Sequence, residues 1–333
     1  MGAYIVRRTL LALITIWAVS FLSWVILQLP PGDYADAYVA IMREWNIKPD
    51  WTPEEIDELR DEFGLNRPLL VQYWDWMYAA VVKGNFGQSY TEGKPITTVI
   101  REVLPITIGL SLFTMAITWV FAIPIGIYSA VRHNSIGDYV FTLLGFTGLA
   151  VPDFLLGLVL MYLFFLHFDM SVGGLYSGNY GDAPWGFAKV KDLLSHMVIP
   201  AIVIGTSGTA GLIRIMRNNL LDEIQKPYVV TARAKGMVGW KVIAKYPVRV
   251  ALNPFISGIG AMLPSLIGGS IIISIVLSLP TIGPILMDSL KNEDPYSSGA
   301  IILILGALTV VGVLISDLLL VVMDPRIRLT DDS

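Results

Sequence analysis

The chain of 333 residues contains no cysteine, which excludes a disulfide frame and any metal centre held by thiolates. Histidine is scarce. His133, His167 and His196 lie far apart in the sequence, so a metal site built from imidazoles is not expected. Charge is scarce as well: Asp, Glu, Lys and Arg supply 15% of the residues, against about 25% in a soluble domain. No HExxH, GxSxG or paired His–carboxylate set is present. The nearest approach to a phosphate loop is Gly87-Gln-Ser-Tyr-Thr-Glu-Gly93-Lys94-Pro95. It has five residues between its glycines where the motif has four, lacks Ser or Thr after the lysine, and follows no strand. The sequence therefore shows no site for hydrolysing ATP or anything else, and the chain is not expected to be an enzyme or to bind a cofactor itself.

What is abundant is hydrophobicity, at 54% of residues. A membrane-crossing helix needs about 20 consecutive apolar residues. Six stretches meet that need, at 9–29, 103–131, 139–168, 194–216, 254–279 and 299–322. The first is too long for the apolar core of a cleaved leader and is followed by Gln28-Leu-Pro-Pro-Gly32, so it is expected to remain as a span. Basic residues cluster beside these stretches: Arg7 and Arg8, Arg132, a run from Arg214 to Arg249 opposed only by Asp222 and Glu223, and Arg326 and Arg328. By the positive-inside rule all face the cytoplasm if both termini do. The expected fold is thus an all-α polytopic membrane protein. It has six transmembrane helices, cytoplasmic N- and C-termini, and a helical extracytoplasmic segment between spans 1 and 2.

That segment, 30–102, opens a helix at Thr52-Pro-Glu-Glu55, where Thr52 caps, Pro53 takes the first helical position and Glu55 completes a capping box. Gly64 ends it, and a second helix is expected after Pro68. The aromatics Trp45, Trp51, Tyr73, Trp74, Trp76 and Tyr78 suit a membrane interface, or a surface that binds ligand or docks a partner.

Ionisable residues inside spans are candidates for a solute path. Asp153 follows Pro152 near the middle of the third span, where it either lines the path or caps a proline kink. Asp317 lies in the last turns of the sixth. Ser270 ends the small-residue stretch Gly268-Gly269-Ser270, one of several that let helix backbones approach closely. Asp153, Ser270 and Asp317 are the candidate translocation-path residues.

Residues 228–242, YVVTARAKGMVGWKV, are polar and basic and lie between two spans. Pro227 suits the first turn of a helix and Gly236 the position just past its end. Arg233 and Lys235 fall where the helix dipole favours cations. Ala232 and Ala234 leave room for another surface to approach, and a second helix is expected at 240–252. Such a helix–turn–helix fits a socket on another protein; a basic loop that merely fixes topology is the alternative.

The stretch Tyr228-Val-Val-Thr-Ala-Arg-Ala-Lys-Gly236 resembles the cytoplasmic coupling loop of permease subunits of bacterial and archaeal ABC importers, most closely the first permease of the dipeptide/oligopeptide class. Val230-Thr231-Ala232 stands where the family has Glu-Ala-Ala, and Gly236 matches. The family's later Leu-Pro is missing, with Asn253-Pro254 in its place. The resemblance extends through Tyr4-Ile-Val-Arg-Arg8, Leu29-Pro-Pro-Gly-Asp33, the stretch 63–73, Gly84-Asn-Phe-Gly-Gln-Ser89, Leu104-Pro-Ile-Thr107 and Asp324-Pro-Arg-Ile-Arg328.

The resemblance implies a passive half-channel in the cytoplasmic (inner) membrane of a bacterium or archaeon. It implies a second homologous permease, two ATP-binding subunits that hold ATP and Mg, and an extracytoplasmic solute-binding protein as partners, with no nucleic acid. Tyr228, Thr231, Ala232, Arg233, Ala234, Lys235 and Gly236 would then press into an ATPase. Related permeases carry peptides, nickel complexes or oligosaccharides; Leu277-Ser-Leu-Pro-Thr-Ile-Gly283 and Asp294-Pro-Tyr296 resemble sugar-carrying members. The expected organisation is a span at 1–29, an extracytoplasmic segment at 30–102, a five-span core at 103–322 with a coupling loop at 217–252, and a tail at 323–333. The competing readings are a secondary transporter or channel that works on an ion gradient without an ATPase, and a membrane-embedded enzyme.

Overall fold

The computed structural model describes residues 2–29, 32–44, 46–89, 92–168, 173–178, 180–181, 183–184, 186–292 and 294–323. Trp45 and the tail residues Arg326 and Arg328 lie outside them. The order of elements is α1 (Gly2–Leu27), α2 (Tyr34–Glu44), α3 (Pro53–Glu62), α4 (Leu69–Lys83), β1 (Gln88–Ser89), β2 (Lys94–Pro95), α5 (Ile96–Val131), α6 (Ile136–Ala150) and α7 (Asp153–Phe168). There follow α8 (Phe187–Ile224), α9 (Pro227–Ala234), α10 (Gly239–Lys245), α11 (Pro247–Ala251), α12 (Asn253–Ser257), α13 (Ile259–Gly269), α14 (Ile271–Val276), α15 (Ile282–Lys291) and α16 (Pro295–Met323). The chain divides into two compact units, Met1–Thr107 with Thr281–Val311, and Ile108–Pro280 with Gly312–Ser333.

Among the described residues, four helices are long and apolar enough to cross a bilayer: Val6–Leu27, Ile96–Val131, Phe187–Ile224 and Pro295–Val322. The expected span at 139–168 is not one rod. α6 and α7 meet at 101° and make a fifth crossing only as a broken pair. The cause is Pro152, which lacks an N–H and forces Val151 into extended backbone (φ −86°, ψ 125°). The expected span at 254–279 is likewise divided, into α12, α13 and α14, with breaks at Gly258 and Ser270. Pro254, Gly258, Pro264, Gly268 and Gly269 crowd this stretch with the two poorest helix formers, and none of the three helices reaches spanning length.

In the first unit, local signals set the elements. Thr52 Oγ1 accepts from the Glu55 N–H at 3.3 Å, and the Glu55 carboxylate accepts from the Thr52 N–H at 2.9 Å, the full capping box. Gly64 turns the chain at φ +70°. α4 begins directly after Pro68. The aromatics of this region do not all face outward. Tyr73 and Trp76 are buried with Trp24, whose ring stacks on Trp76 at 5.0 Å, and Ile96, Ile100, Ala300 and Leu303 complete that core. Trp74 and Tyr78 are exposed. Rings of this size stabilise most when fully removed from water, and α1 and α16 supply the walls that make this possible. The two-residue hairpin β1–β2 interrupts the all-helical plan, and Lys94 within it is held by Glu102 at 2.6 Å.

In the second unit, a core beside the end of α8 joins Ala122 and Ala130 of α5, Met216 and Leu220 of α8, Ala251 of α11 and Phe255 of α12. α8 carries the densest packing, against α6, α7 and α11.

Candidate functional site

The candidate coupling region grows out of the end of α8, whose last two turns, from Arg217 to Ile224, continue beyond the apolar stretch predicted for the span. The chain reverses at Gln225 and Lys226. Pro227 opens α9 at its first position, and Lys235 ends it with Gly236 at φ +79°, as the Pro–Gly spacing predicts. The helix predicted over 240–252 is instead two helices, α10 and α11. Pro247 has no N–H to give, and Tyr246 takes φ −113°, ψ −75° at the joint.

α9 has two faces. Val229 and Ala232, three residues apart, are buried against Val242 of α10, with Met237 and Tyr246 closing the edges. Ala232 thus packs inside the hairpin's own core, where a longer side chain would not fit, and does not leave room for an outside partner as its size suggested. Tyr228, Val230, Thr231, Arg233, Ala234, Lys235 and Gly236 are exposed. Thr231 Oγ1 donates to the Pro227 carbonyl at 3.0 Å, which satisfies its hydroxyl locally. Tyr228 donates its hydroxyl to the Glu223 carboxylate and sets its ring edge-on to Tyr246 at 6.5 Å. Although Tyr228 is 40% exposed, partial loss of water around its hydroxyl, and then that hydrogen bond to a carboxylate, push the phenol up to about 12. Trp240 on α10 is two-thirds exposed (67%). The result is a small two-helix knob with a three-residue apolar centre and an outer surface of Val230, Arg233, Lys235 and Trp240.

The knob is anchored through α11. Ala251 packs with Met216 and Leu220, which pack in turn on Ala122 and Ala130 of α5. Two residues that sequence reasoning passed over strengthen the same region. Arg217 donates from Nε to Asp138 Oδ1 at 2.8 Å and from Nη2 to Oδ2 at 2.9 Å. Asp138 is 2% exposed and also accepts from the Asn134 N–H at 3.0 Å. The sequence signal was Ser135-Ile-Gly-Asp138, a helix start whose Ser135 hydroxyl accepts from the Asp138 N–H at 3.2 Å.

The candidate path residues do not form one cluster. Asp153 is the first residue of α7, at the bend, and accepts from the Ser207 hydroxyl of α8 at 3.2 Å. Ser270 sits at the joint between α13 and α14 and donates to the Ile267 carbonyl at 3.0 Å. Asp317 is half-buried in the last two turns of α16. Of the small residues, Gly205 and Gly260 mark close helix approaches: an added Cβ would lie 2.7 Å from the Thr118 hydroxyl and 2.6 Å from the Val313 backbone, respectively. Gly208, Gly211, Gly268 and Gly269 have open space at that position.

Comparison with known proteins joins these features. The family model described as "Binding-protein-dependent transport system inner membrane component" matches residues 122–329, and the model of that system's membrane component N-terminal region matches residues 1–111. The chain is 35% identical over 329 residues to the oligopeptide transport system permease protein AppB of Bacillus subtilis (strain 168), covering 98% of this chain and 100% of that protein. It is 28% identical over 326 residues to the nickel import system permease protein NikB of Staphylococcus aureus (strain MRSA252), covering 98% and 92%. To the dipeptide transport system permease protein DppB of Lactococcus lactis subsp. cremoris (strain MG1363) it is 29% identical over 331 residues, covering 99% and 100%.

Proposed function

The chain belongs to the binding-protein-dependent transport system inner membrane component family, as a permease subunit of an ABC importer, and we propose that its cargo is a peptide. The observation that carries the choice is the end-to-end identity of 35% with an oligopeptide permease. Peptide takes precedence over oligosaccharide and nickel complex on that ground. Family membership also sets aside an ion-gradient transporter that acts without an ATPase.

In this reading the chain crosses the inner membrane of a bacterium or archaeon six times with both termini in the cytoplasm. The bent pair α6–α7 is the third crossing and the short helices α12, α13 and α14 together are the fifth. Interrupted helices are tolerated at membrane depth where protein or a water-filled cavity receives their free backbone groups. Residues 30–102 lie outside. The chain pairs with a second homologous permease, two ATPases dock from the cytoplasm and hold ATP and Mg, and a binding protein delivers cargo from outside.

The knob formed by α9 and α10 enters a cleft of one ATPase through Tyr228, Thr231, Arg233, Ala234, Lys235 and Gly236, while Ala232 holds the knob together from within. Its rigid apolar centre and its anchorage on Met216 and Leu220 support this reading, because a displacement of the knob is passed to α8 and α5 as a unit. Driving the permease between two states from 1:99 to 99:1 takes about 5.5 kcal/mol of differential interaction, which the docked ATPases must supply through the knob. Asp153, Ser270 and Asp317 sit at a bend, a joint and a helix end, where small rotations change what the path presents.

Purification of the tagged chain in mild detergent, with mass spectrometry of its companions, tests the assembly. A second permease and ATPases are expected, and uptake of a labelled tripeptide by the reconstituted complex with its binding protein and ATP. Recovery of the chain alone overturns the assembly; ATP-driven uptake of an oligosaccharide but not of peptides overturns the cargo.

A further inference from the structure

From Met197 to Ile213, α8 carries no Asp, Glu, Lys or Arg. That is roughly 25 Å of helix at 1.5 Å per residue, close to the roughly 30 Å hydrocarbon core of a bilayer. Arg214 is the first charge after it and so stands where hydrocarbon gives way to lipid headgroups. It is exposed. With Arg217 and Asn218 of the same helix, and with Asp138, Tyr139 and Phe146 of α6, it lines a cavity of about 270 Å³ within the second unit.

The charges in this cavity do not cancel. Asp138 is the one carboxylate in the lining, and both of its oxygens are taken by Arg217. The Arg214 guanidinium lies 4.8 Å from the centre of the Phe146 ring, and among the described residues it has no carboxylate and no hydrogen-bond acceptor. The next carboxylate along α8, Asp222, is about 12 Å further down the axis. A ring face attracts a cation but leaves its N–H donors unspent, so one positive charge and a planar set of donors remain for a ligand. Asn218, whose Oδ1 accepts from Arg217 Nη1 at 3.5 Å, keeps its own N–H donors beside them.

α6 adds an apolar strip. Tyr139, Leu143 and Phe146 follow at i, i+4 and i+7 and are 63%, 67% and 52% exposed. They run from the Asp138 end of α6 towards its bend at Pro152. A cation at the edge of a membrane-crossing helix, at the head of an apolar strip, matches a molecule with an anionic head and a hydrocarbon tail.

We infer that this cavity and the strip beside it bind one phospholipid with an anionic head, of the phosphatidylglycerol kind. Arg214 holds the phosphate, the Asn218 amide is the second donor, and an acyl chain lies along Leu143 and Phe146. Arg217, committed to Asp138, fixes α8 against α6 and leaves the selecting charge to Arg214. A zwitterionic lipid brings a cation of its own towards Arg214, which disfavours it. A free phosphate has the charge but nothing to cover the strip.

The test uses the complex purified through a tag on this chain, stripped of lipid in detergent and titrated under native mass spectrometry. Phosphatidylglycerol is expected to bind about tenfold more tightly than phosphatidylcholine with the same acyl chains, and about tenfold more tightly to the wild type than to Arg214→Gln, the loss of one charge-assisted hydrogen bond. Leu143→Asn, which leaves the charges alone, should weaken binding as well. Arg214 touches no acceptor in the protein, so Arg214→Gln should assemble and, free of lipid, melt close to the wild type. Added phosphatidylglycerol should then raise the melting temperature of the wild type and not of the variant. Equal affinities for the two lipids, or for wild type and Arg214→Gln, overturn the inference. Displacement of the lipid by an equal concentration of glycerol 3-phosphate also overturns it, and gives the site to a soluble phosphate. If the complex shows no Arg214-dependent lipid at all, another subunit covers this face and the inference falls.

Discussion

Arg217 and Asp138, 79 positions apart, meet through two parallel hydrogen bonds of 2.8 and 2.9 Å that tie the end of α8 to the first turn of α6. The fork of a guanidinium matches a carboxylate in a way lysine cannot, and Asp138 is almost wholly out of water. Removing Arg217 strands that carboxylate. Arg217→Ala is expected to cost about 3–5 kcal/mol, the range for breaking a buried pair. Asp138→Asn should cost less, because the Arg217 side chain it leaves behind keeps more contact with water, 23% exposed against 2%. Thermal unfolding of the purified complex in detergent reads both, and an Arg217→Ala protein as stable as the wild type contradicts the assignment.

A Cβ on Gly126 of α5 would lie 2.5 Å from the Met216 Cβ and 3.1 Å from the Ile213 carbonyl of α8. These are short-range groups that cannot swing aside. Gly126→Ala should therefore force the two helices apart and cost about 1–3 kcal/mol, as overpacking does. Because Met216 also supports Ala251, the coupling of ATP hydrolysis to uptake should drop more than the amount of protein in the membrane. The ratio of transport to ATPase rate is the measurement.

The two faces of α9 predict opposite phenotypes. Arg233→Glu, on the exposed face, should leave the melting temperature unchanged and abolish co-purification of the ATPases. Val229→Asp puts a carboxylate into the three-residue core with Ala232 and Val242. It should unfold the knob and raise protease cleavage within residues 226–246, because a charge buried without a partner is not tolerated.

Gly236 has open space where a side chain would stand, so its requirement is set by φ +79° alone. Gly236→Val should cost about 1–2 kcal/mol of local backbone strain, insert into the membrane normally, and reduce ATP-coupled uptake. Gly236→Asn, which tolerates this conformation better, should restore part of it.

The phenol of Tyr228, pushed up to about 12, gives the knob an alkaline limit. A phenol pKa raised by folding contributes stability that is fully present below the unfolded value of about 10 and is lost as pH rises through the folded one. Ultraviolet difference titration of wild type against Tyr228→Phe should show one tyrosine ionising near 12. A difference that titrates near 10 would remove the Glu223 hydrogen bond from the account.

Signals confined to a few neighbouring residues were readable from the sequence. Thr52 to Glu55 forms its capping box, and Pro227 and Gly236 bracket α9 as their backbone preferences require. What failed depends on groups brought together from afar or on single breakers inside apolar runs. Hydrophobicity marks 139–168 and 254–279 as stretches for the membrane but is blind to the bend at Pro152 and to the division of the Gly–Pro-rich segment into three short helices. Tyr73 and Trp76 look like interface aromatics because their partner, Trp24, is about fifty residues away. Ala232 looks like an opening for a partner because Val242, which fills the space beside it, belongs to the next helix. The Asp138–Arg217 pair was hidden for the same reason.

The apolar centre of the knob also bears on exchange of parts. Val229, Ala232 and Val242 lie within one short stretch of chain, between Lys226 and Tyr246. A stretch that supplies its own interior can be grafted whole, with its fold carried along and its outer residues free to be rewritten. On the docking reading proposed above, transplanting residues 226–246 between permeases should change which ATPase a transporter obeys without touching what it carries.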